Sequence, residues 1–156
     1  MVEIVIPGFR TLRIQHLVMD YNGTLALDGH LLPGVRLRLD RLAENLHLHV
    51  VTADTFGHAC DELKAIACEV VILAEEGQAE AKRAHVRKLG SEQVAAIGNG
   101  RNDRLMLKEA ALGMAVVQGE GAATETCSAA DLLLTDILIA LDMFLNPKRL
   151  IATLRS

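Results

Sequence analysis

An open, doubly wound α/β sheet in three layers (αβα) is what this sequence predicts, and three observations predict it. Short apolar runs alternate with longer segments of helical periodicity along nearly the whole chain. Of the 156 residues 51% are apolar but only 3% aromatic, so the core must be built from Leu, Ile, Val and Ala, which suits helices packed on a buried parallel sheet. Polar residues gather directly after several of the apolar runs, the ends at which open parallel sheets bind their ligands.

Taken in order, VEIVIP and FRTLRI read as a hairpin or an added edge strand within residues 1–15, turning at Pro7-Gly8. Strands are expected at about 16–20 (HLVMD), 47–52 (HLHVVT), 69–73 (EVVIL), 94–97 (VAAI), 113–117 (GMAVV) and 131–134 (DLLL). Helices are expected between them at about 34–45, 55–67, 77–89, 103–110 and 121–128. The segment 136–154 reads as one or two helices broken near Asn146-Pro147, because proline cannot continue a helix. No stretch has the composition of a linker and no repeat is visible, so residues 1–156 are expected to form a single domain.

Composition excludes several classes of function. With 16 Lys+Arg against 20 Asp+Glu the formal net charge is −4, and there is no Trp. That is neither the basic footprint nor the stacking material of a nucleic-acid binder. Cys60, Cys68 and Cys127 are odd in number and lack CxxC spacing, which predicts buried free thiols in a reducing compartment. The N-terminus lacks a basic region followed by a long apolar run, and Leu132 to Leu145 is short and carries Asp136 and Asp142. A cytoplasmic protein with no membrane partner is expected.

Three polar clusters follow the first, second and fourth strands: Asp20-Tyr21-Asn22-Gly23-Thr24, Thr52-Ala53-Asp54 and Gly98-Asn99-Gly100-Arg101-Asn102-Asp103. Each alone has an ordinary explanation as a turn, a helix cap or a loop. Together and in this order they resemble the motifs of the haloacid dehalogenase superfamily of phosphotransferases. Those motifs are Asp-x-Asp-x-Thr, a Ser or Thr ending the second strand, a Lys, and an acidic cluster after the fourth strand. Asp20, Thr52, Lys82 and Asp103 match them, over about His16 to Thr135. DYNGT, TAD and GNGRND resemble more closely the phosphorylation domain of P-type ATPases, which reads Asp-Lys-Thr-Gly-Thr, Thr-Gly-Asp and Gly-Asp-Gly-x-Asn-Asp. The membrane helices, nucleotide-binding insert and actuator domain of those pumps have no counterpart in this sequence.

The resemblance implies a Rossmann-like hydrolase core and a role for each residue. Asp20 would be the nucleophile that forms an aspartyl-phosphate. Mg²⁺ would be held by the Asp20 carboxylate, the backbone carbonyl of Asn22 and the side chains of Asn99 and Asp103. Thr52, Ala53, Lys82 and Asn102 would bind the phosphate, with Lys82 also neutralising charge on Asp20. Lys88 competes with Lys82 on the same charged helix, but Lys82 is nearer the helix start and so nearer the ligand-binding ends of the strands. Thr24 is expected to support its loop by hydrogen bonds. Asp54 is left between a helix cap and a role beside Asp20.

Two departures qualify that chemistry. Asn22 occupies the catalytic position where phosphatases of the superfamily carry a general acid/base. An amide cannot shuttle a proton, and such a loss costs about 10²–10⁴ in rate. Asn99 stands where a metal-binding Asp is usual, which removes a negative charge from the cation site. A slow phosphatase or a long-lived aspartyl-phosphate is therefore expected. The alternatives are a non-catalytic phosphate- or metal-binding regulatory module, and a phosphoacceptor partner in a larger assembly. Both amides precede Gly, a context prone to deamidation, which would restore an acid.

The intervals 24–52 and 52–82 hold single helix and strand units, leaving no room for a cap domain. An open site of this kind takes a small or macromolecular phosphorylated substrate, or is covered by a neighbouring subunit. The apolar helices at 136–154 are expected to be either core or a homo-oligomer interface.

Overall fold

The structure is a computed structural model that describes residues 1–54 and 57–156. The strands are β1 (Val2–Ile6), β2 (Arg10–Ile14), β3 (His16–Met19), β4 (Ala26–Leu27), β5 (His30–Leu31), β6 (His47–Thr52), β7 (Cys68–Ile72), β8 (Val94–Gly98), β9 (Leu112–Val116) and β10 (Leu132–Leu134). The helices are α1 (Val35–Leu42), α2 (Ala59–Leu63), α3 (Gln78–Leu89), α4 (Arg104–Glu109), α5 (Thr124–Ala129), α6 (Ile137–Leu145) and α7 (Pro147–Leu154).

Six strands form one parallel sheet in the order β10-β9-β8-β3-β6-β7. Both of its faces are covered. Along β3, Leu17 and Met19 enter one buried cluster and Val18 the other; along β8, Ala95 and Ile97 alternate with Val94 and Ala96 in the same way. Burial on both faces is why these strands read as continuous apolar runs rather than alternating ones. The smaller cluster is lined mainly by Val and Ala, with Met106 and Leu107 of α4 and Val86 of α3 filling it. The larger cluster takes in the residues that were expected to be core or interface: Ile137, Ala140, Leu141, Met143 and Phe144 of α6 are buried, while Ile139 stays exposed.

Of the two readings for residues 1–15 the hairpin is the one observed: β1 and β2 pair antiparallel as a separate two-stranded sheet whose inward residues Ile4, Ile6, Leu12 and Ile14 join the larger cluster. Differences from the sequence reading are local. The expected helix at 55–67 is observed only as Ala59–Leu63, and its first two positions lie outside the described residues. Cys60 is exposed rather than buried, and Cys68 and Cys127 are half-buried. A small hairpin, β4–β5, also precedes α1; Asp28 and Gly29 at its turn both have positive φ (51° and 85°), the conformation that an Asp-Gly turn favours.

At the N-terminal end of the sheet, in-register pairing of β3 with β6 gathers histidines far apart in sequence. His16 pairs with His47, and His16 Nδ1 lies 3.1 Å from His49 Nε2. His49 Nδ1 is 3.2 Å from Glu69 Oε2, and His85 of α3 meets His49 edge-on. Burial, with help from His85, pushes His49 from 6.5 down to about 4. The unfolded chain therefore takes up this proton first. Stability is full above pH 6.5 and is lost as the pH falls from 6.5 toward about 4. The urea midpoint is expected to be lower at pH 5 than at pH 7.5, with the difference reduced in His49→Leu; an equal difference in both proteins would contradict this.

Candidate active site

The strand order reverses at β3. β6 and β7 lie on one side, and β8, β9 and β10 on the other. Ligands of open α/β sheets sit at such a switch point, beyond the carboxyl ends of the strands. Asp20, the first residue past β3, is tied there by its N–H, which donates to the Ile97 carbonyl of β8 at 3.0 Å.

Lys82, in the first half of α3, is wholly buried, and its Nζ donates to Asp20 Oδ1 at 2.7 Å and to Asp103 Oδ1 at 2.6 Å. Burial alone would lower the pKa of this ammonium, but the two carboxylates raise it above its ordinary value. Burial, and then the charge of Asp103, push the Asp20 carboxyl up to about 6 against the opposing pull of Lys82. Lys88, the competing candidate, is exposed.

Asp103 is fully buried, and its second oxygen accepts the N–H groups of Asn99 (3.0 Å) and Gly100 (2.9 Å). Gly98 makes room for this: a Cβ there would stand 2.5 Å from the Asp103 carboxyl carbon. Asp103 thus fixes Lys82 with one oxygen and the loop with the other, from behind the cavity that Asp20 lines. Asp54 Oδ1 accepts the Ala59 N–H at 2.9 Å and caps the start of α2, so of the two readings the cap is the one observed.

The remaining residues surround a cavity of about 200 Å³ lined in part by Asp20, Asn22, Thr52, Ala53, Asn99 and Asn102. Thr52 Oγ1 accepts the Asp54 N–H at 3.0 Å, leaving its own hydrogen to donate into the cavity. Thr24 Oγ1 lies 3.1 Å from Asn99 Oδ1 and 3.3 Å from Asp20 Oδ2, sharing one hydrogen between two acceptors. Asn102 Nδ2 donates to Gln78 Oε1 at 2.6 Å. The amides needed for deamidation are both occupied: Gly23 N–H donates to the Ala26 carbonyl at 2.7 Å, and Gly100 N–H to Asp103.

Two lining residues, Gln78 and Glu120, were not anticipated. Gln78 opens the helix after β7, and Glu120 lies in the loop after β9, so both stand beyond carboxyl ends of the sheet and that position was a usable signal. A hard divalent cation fits the donors present. They are oxygens throughout, and Asn22 Oδ1 is buried with no partner. Among the described residues no three His, Cys, Asp or Glu side chains form a ready cage, so such an ion would rely on carboxylate, carbonyl and amide oxygens together with water.

Gly23 holds the tightest backbone position, with φ +82°. A Cβ there would stand 2.4 Å from Glu120 Oε2 and 2.5 Å from Asn99 Nδ2. Gly23→Ala is expected to cost about 1–3 kcal/mol, read as a lower melting temperature; an unchanged one would show that the loop relaxes freely.

Over 65 residues, 42% of this chain and 70% of the relative, the sequence is 48% identical to an uncharacterized protein of Methanocaldococcus jannaschii. Residues 77–132, which carry Lys82 and the 98–103 loop, match the family model for haloacid dehalogenase-like hydrolases. Over those residues the chain is similar to the haloacid dehalogenase-like hydrolases. The structure is similar to that of 3-deoxy-D-manno-octulosonate 8-phosphate phosphatase from Moraxella catarrhalis, in complex with magnesium, phosphate and KDO, with a TM-score of 0.65 at 18% identity over 92% of this chain and 94% of that one. It is also similar to the cobalt-bound deoxy-D-mannose-octulosonate 8-phosphate phosphatase from Haemophilus influenzae, with a TM-score of 0.68 at 17% identity over 88% and 90% of the two chains. At these identities the likeness is one of fold. Only β4, β5 and α1 separate β3 from β6, and no cap domain is inserted among the described residues. Nor is any helix of the described residues long and apolar enough to cross a membrane.

Proposed function

We propose that this protein is a hydrolase that cleaves phosphate esters or anhydrides through an aspartyl-phosphate on Asp20, with Mg²⁺ as its cation. The observation that carries the reading is the ion triad at the switch point. Of its three members only Asp20 lines the cavity, while Lys82 and Asp103 stand behind it. That arrangement suits a nucleophile held in place from the rear. In the first step an Asp20 oxygen forms a bond to phosphorus, the bond from phosphorus to the leaving oxygen breaks, and that oxygen takes a proton. In the second, water attacks phosphorus, releasing inorganic phosphate and restoring the carboxylate. Thr52 and Asn102 donate to phosphoryl oxygens, and Lys82 offsets charge on the Asp20 side. A divalent cation would be held by the Asp20 carboxylate, the Asn22 backbone carbonyl and the Asn99 amide oxygen, and would supply neutralisation of charge on the phosphoryl group.

Neither proton transfer has an acid or base at position 22, where Asn22 offers only an amide, so turnover is slow and the phosphorylated enzyme persists. A phosphoacceptor role for Asp20 is the second reading, and Asn22 favours it. The site cavity adjoins a groove of about 400 Å³ that shares Gln78 and Asn102 with it and is bordered by Arg101 and Arg104. The leaving group lies in that groove, which is open enough for a small molecule or part of a larger one. Incubation with p-nitrophenyl phosphate or acetyl phosphate should give Mg²⁺-dependent phosphate release that EDTA stops. Asn22→Asp should raise that rate by about 10²-fold or more. Absence of release from both proteins would refute the hydrolytic reading.

A further inference from the structure

Resting on the reading of Asp20 as a cation-dependent phosphoryl acceptor, we infer that Glu120 supplies the second carboxylate of the cation site, standing in for the charge that Asn99 lacks. The Asp20 charge is already shared with Lys82, and Asp103 is engaged by Lys82 and two backbone N–H groups, so among the residues lining the cavity Glu120 is the carboxylate other than Asp20, beside amide and hydroxyl oxygens. Among the described residues the Glu120 carboxylate makes no hydrogen bond or ion pair, and it lies beside the Asn99 amide over Gly23, where a Cβ would stand 2.4 Å from Glu120 Oε2 and 2.8 Å from Asn99 Oδ1; both residues line the cavity with Asp20.

The loop that carries Glu120 is fastened on both sides. Gln118 Nε2 donates to the Thr24 carbonyl at 2.7 Å and to the Gly23 carbonyl at 3.2 Å, while its Oε1 accepts the Ile137 N–H at 2.9 Å. On the other side Asn99 Nδ2 donates to the Gly121 carbonyl at 3.1 Å, and the Asn99 carbonyl accepts the Ala123 N–H at 2.9 Å. The donor in the first of these is one that only an amide provides; an Asp at 99 would face the Gly121 carbonyl with an acceptor. Asn99 thus trades its own charge for a bond that holds the Glu120 loop over the site. A divalent cation with hard-oxygen preferences gains most from the carboxylate so placed.

Isothermal titration with Mg²⁺ and with Mn²⁺ tests this without reference to turnover. Glu120→Gln is expected to weaken binding by about tenfold or more, with the melting temperature of the metal-free protein unchanged because the exposed carboxylate makes no hydrogen bond or ion pair among the described residues. Glu44→Gln, which removes an exposed carboxylate elsewhere, is expected to bind as the wild type does. Asn99→Asp combined with Glu120→Gln should recover part of the lost affinity, since it returns one carboxylate to the site. Binding by Glu120→Gln equal to the wild type overturns the inference and leaves the hydrolytic reading standing. A tenfold loss in a wild-type background that binds the cation but releases no phosphate upholds Glu120 and refutes hydrolysis instead.

Discussion

Lys82→Met is expected to lower stability at pH 7.5 by about 3–5 kcal/mol. The variant keeps an unbranched side chain of similar length in a slot that excludes solvent, but leaves Asp20 and Asp103 buried without the ammonium that bridges them at 2.7 and 2.6 Å. The cost is the uncompensated charge, and it has a pH signature. Without Lys82, burial and mutual repulsion raise the carboxyl pKa further above the unfolded value near 3.8. A group whose folded pKa is raised binds its proton preferentially in the folded state, so stability recovers as the pH falls through that raised value. Recovery steeper than in the wild type, followed by urea denaturation between pH 8 and pH 5, is the expected result. A loss that does not depend on pH would mean that Lys82 matters for its packing alone.

Asp20→Asn acts on the same triad with the opposite sign for stability. The wild-type cluster buries two carboxylates against one ammonium; the variant leaves Lys82 and Asp103 as a balanced pair, with the Asn oxygen still able to accept from Nζ. Turnover should fall by at least about 10⁴-fold, while the melting temperature is unchanged or higher. This is the trade between activity and stability that a strained charge arrangement produces. An Asp20→Asn protein that both loses activity and unfolds readily would mean that the triad is structural, and would remove the argument for a nucleophile.

The sheet was legible in the sequence because both its faces are buried: HLVMD, HLHVVT and VAAI are mostly apolar, and the polar residues at or after their last positions mark the carboxyl ends. Lys82 was legible for a related reason, since the start of a helix that follows a parallel strand lies at those same ends. What a residue's oxygens touch was not legible. Asp103 and Asp54 are both acidic and both follow strands, yet Asp103 folds back beneath Gly98 onto two backbone N–H groups, and Asp54 caps α2. Glu120 is 98 positions from Asn22, and its approach depends on Gln118 clamping one loop onto another. The β4–β5 hairpin is a different matter, because its Asp28-Gly29 pair is an explicit turn signal within ALDGHL. The histidine group at 16, 47, 49 and 85 depends on strand register, which periodicity alone does not specify.

Transfer of a phosphoryl group to Asp20 is tested by brief incubation with acetyl phosphate and Mg²⁺, acid quenching and peptide mass analysis. One phosphoryl group, labile to hydroxylamine, is expected on the peptide containing Asp20, more abundant in the wild type than in Asn22→Asp, which hydrolyses it faster, and absent from Asp20→Asn. A label at another residue, or equal labelling of Asp20→Asn, would contradict it.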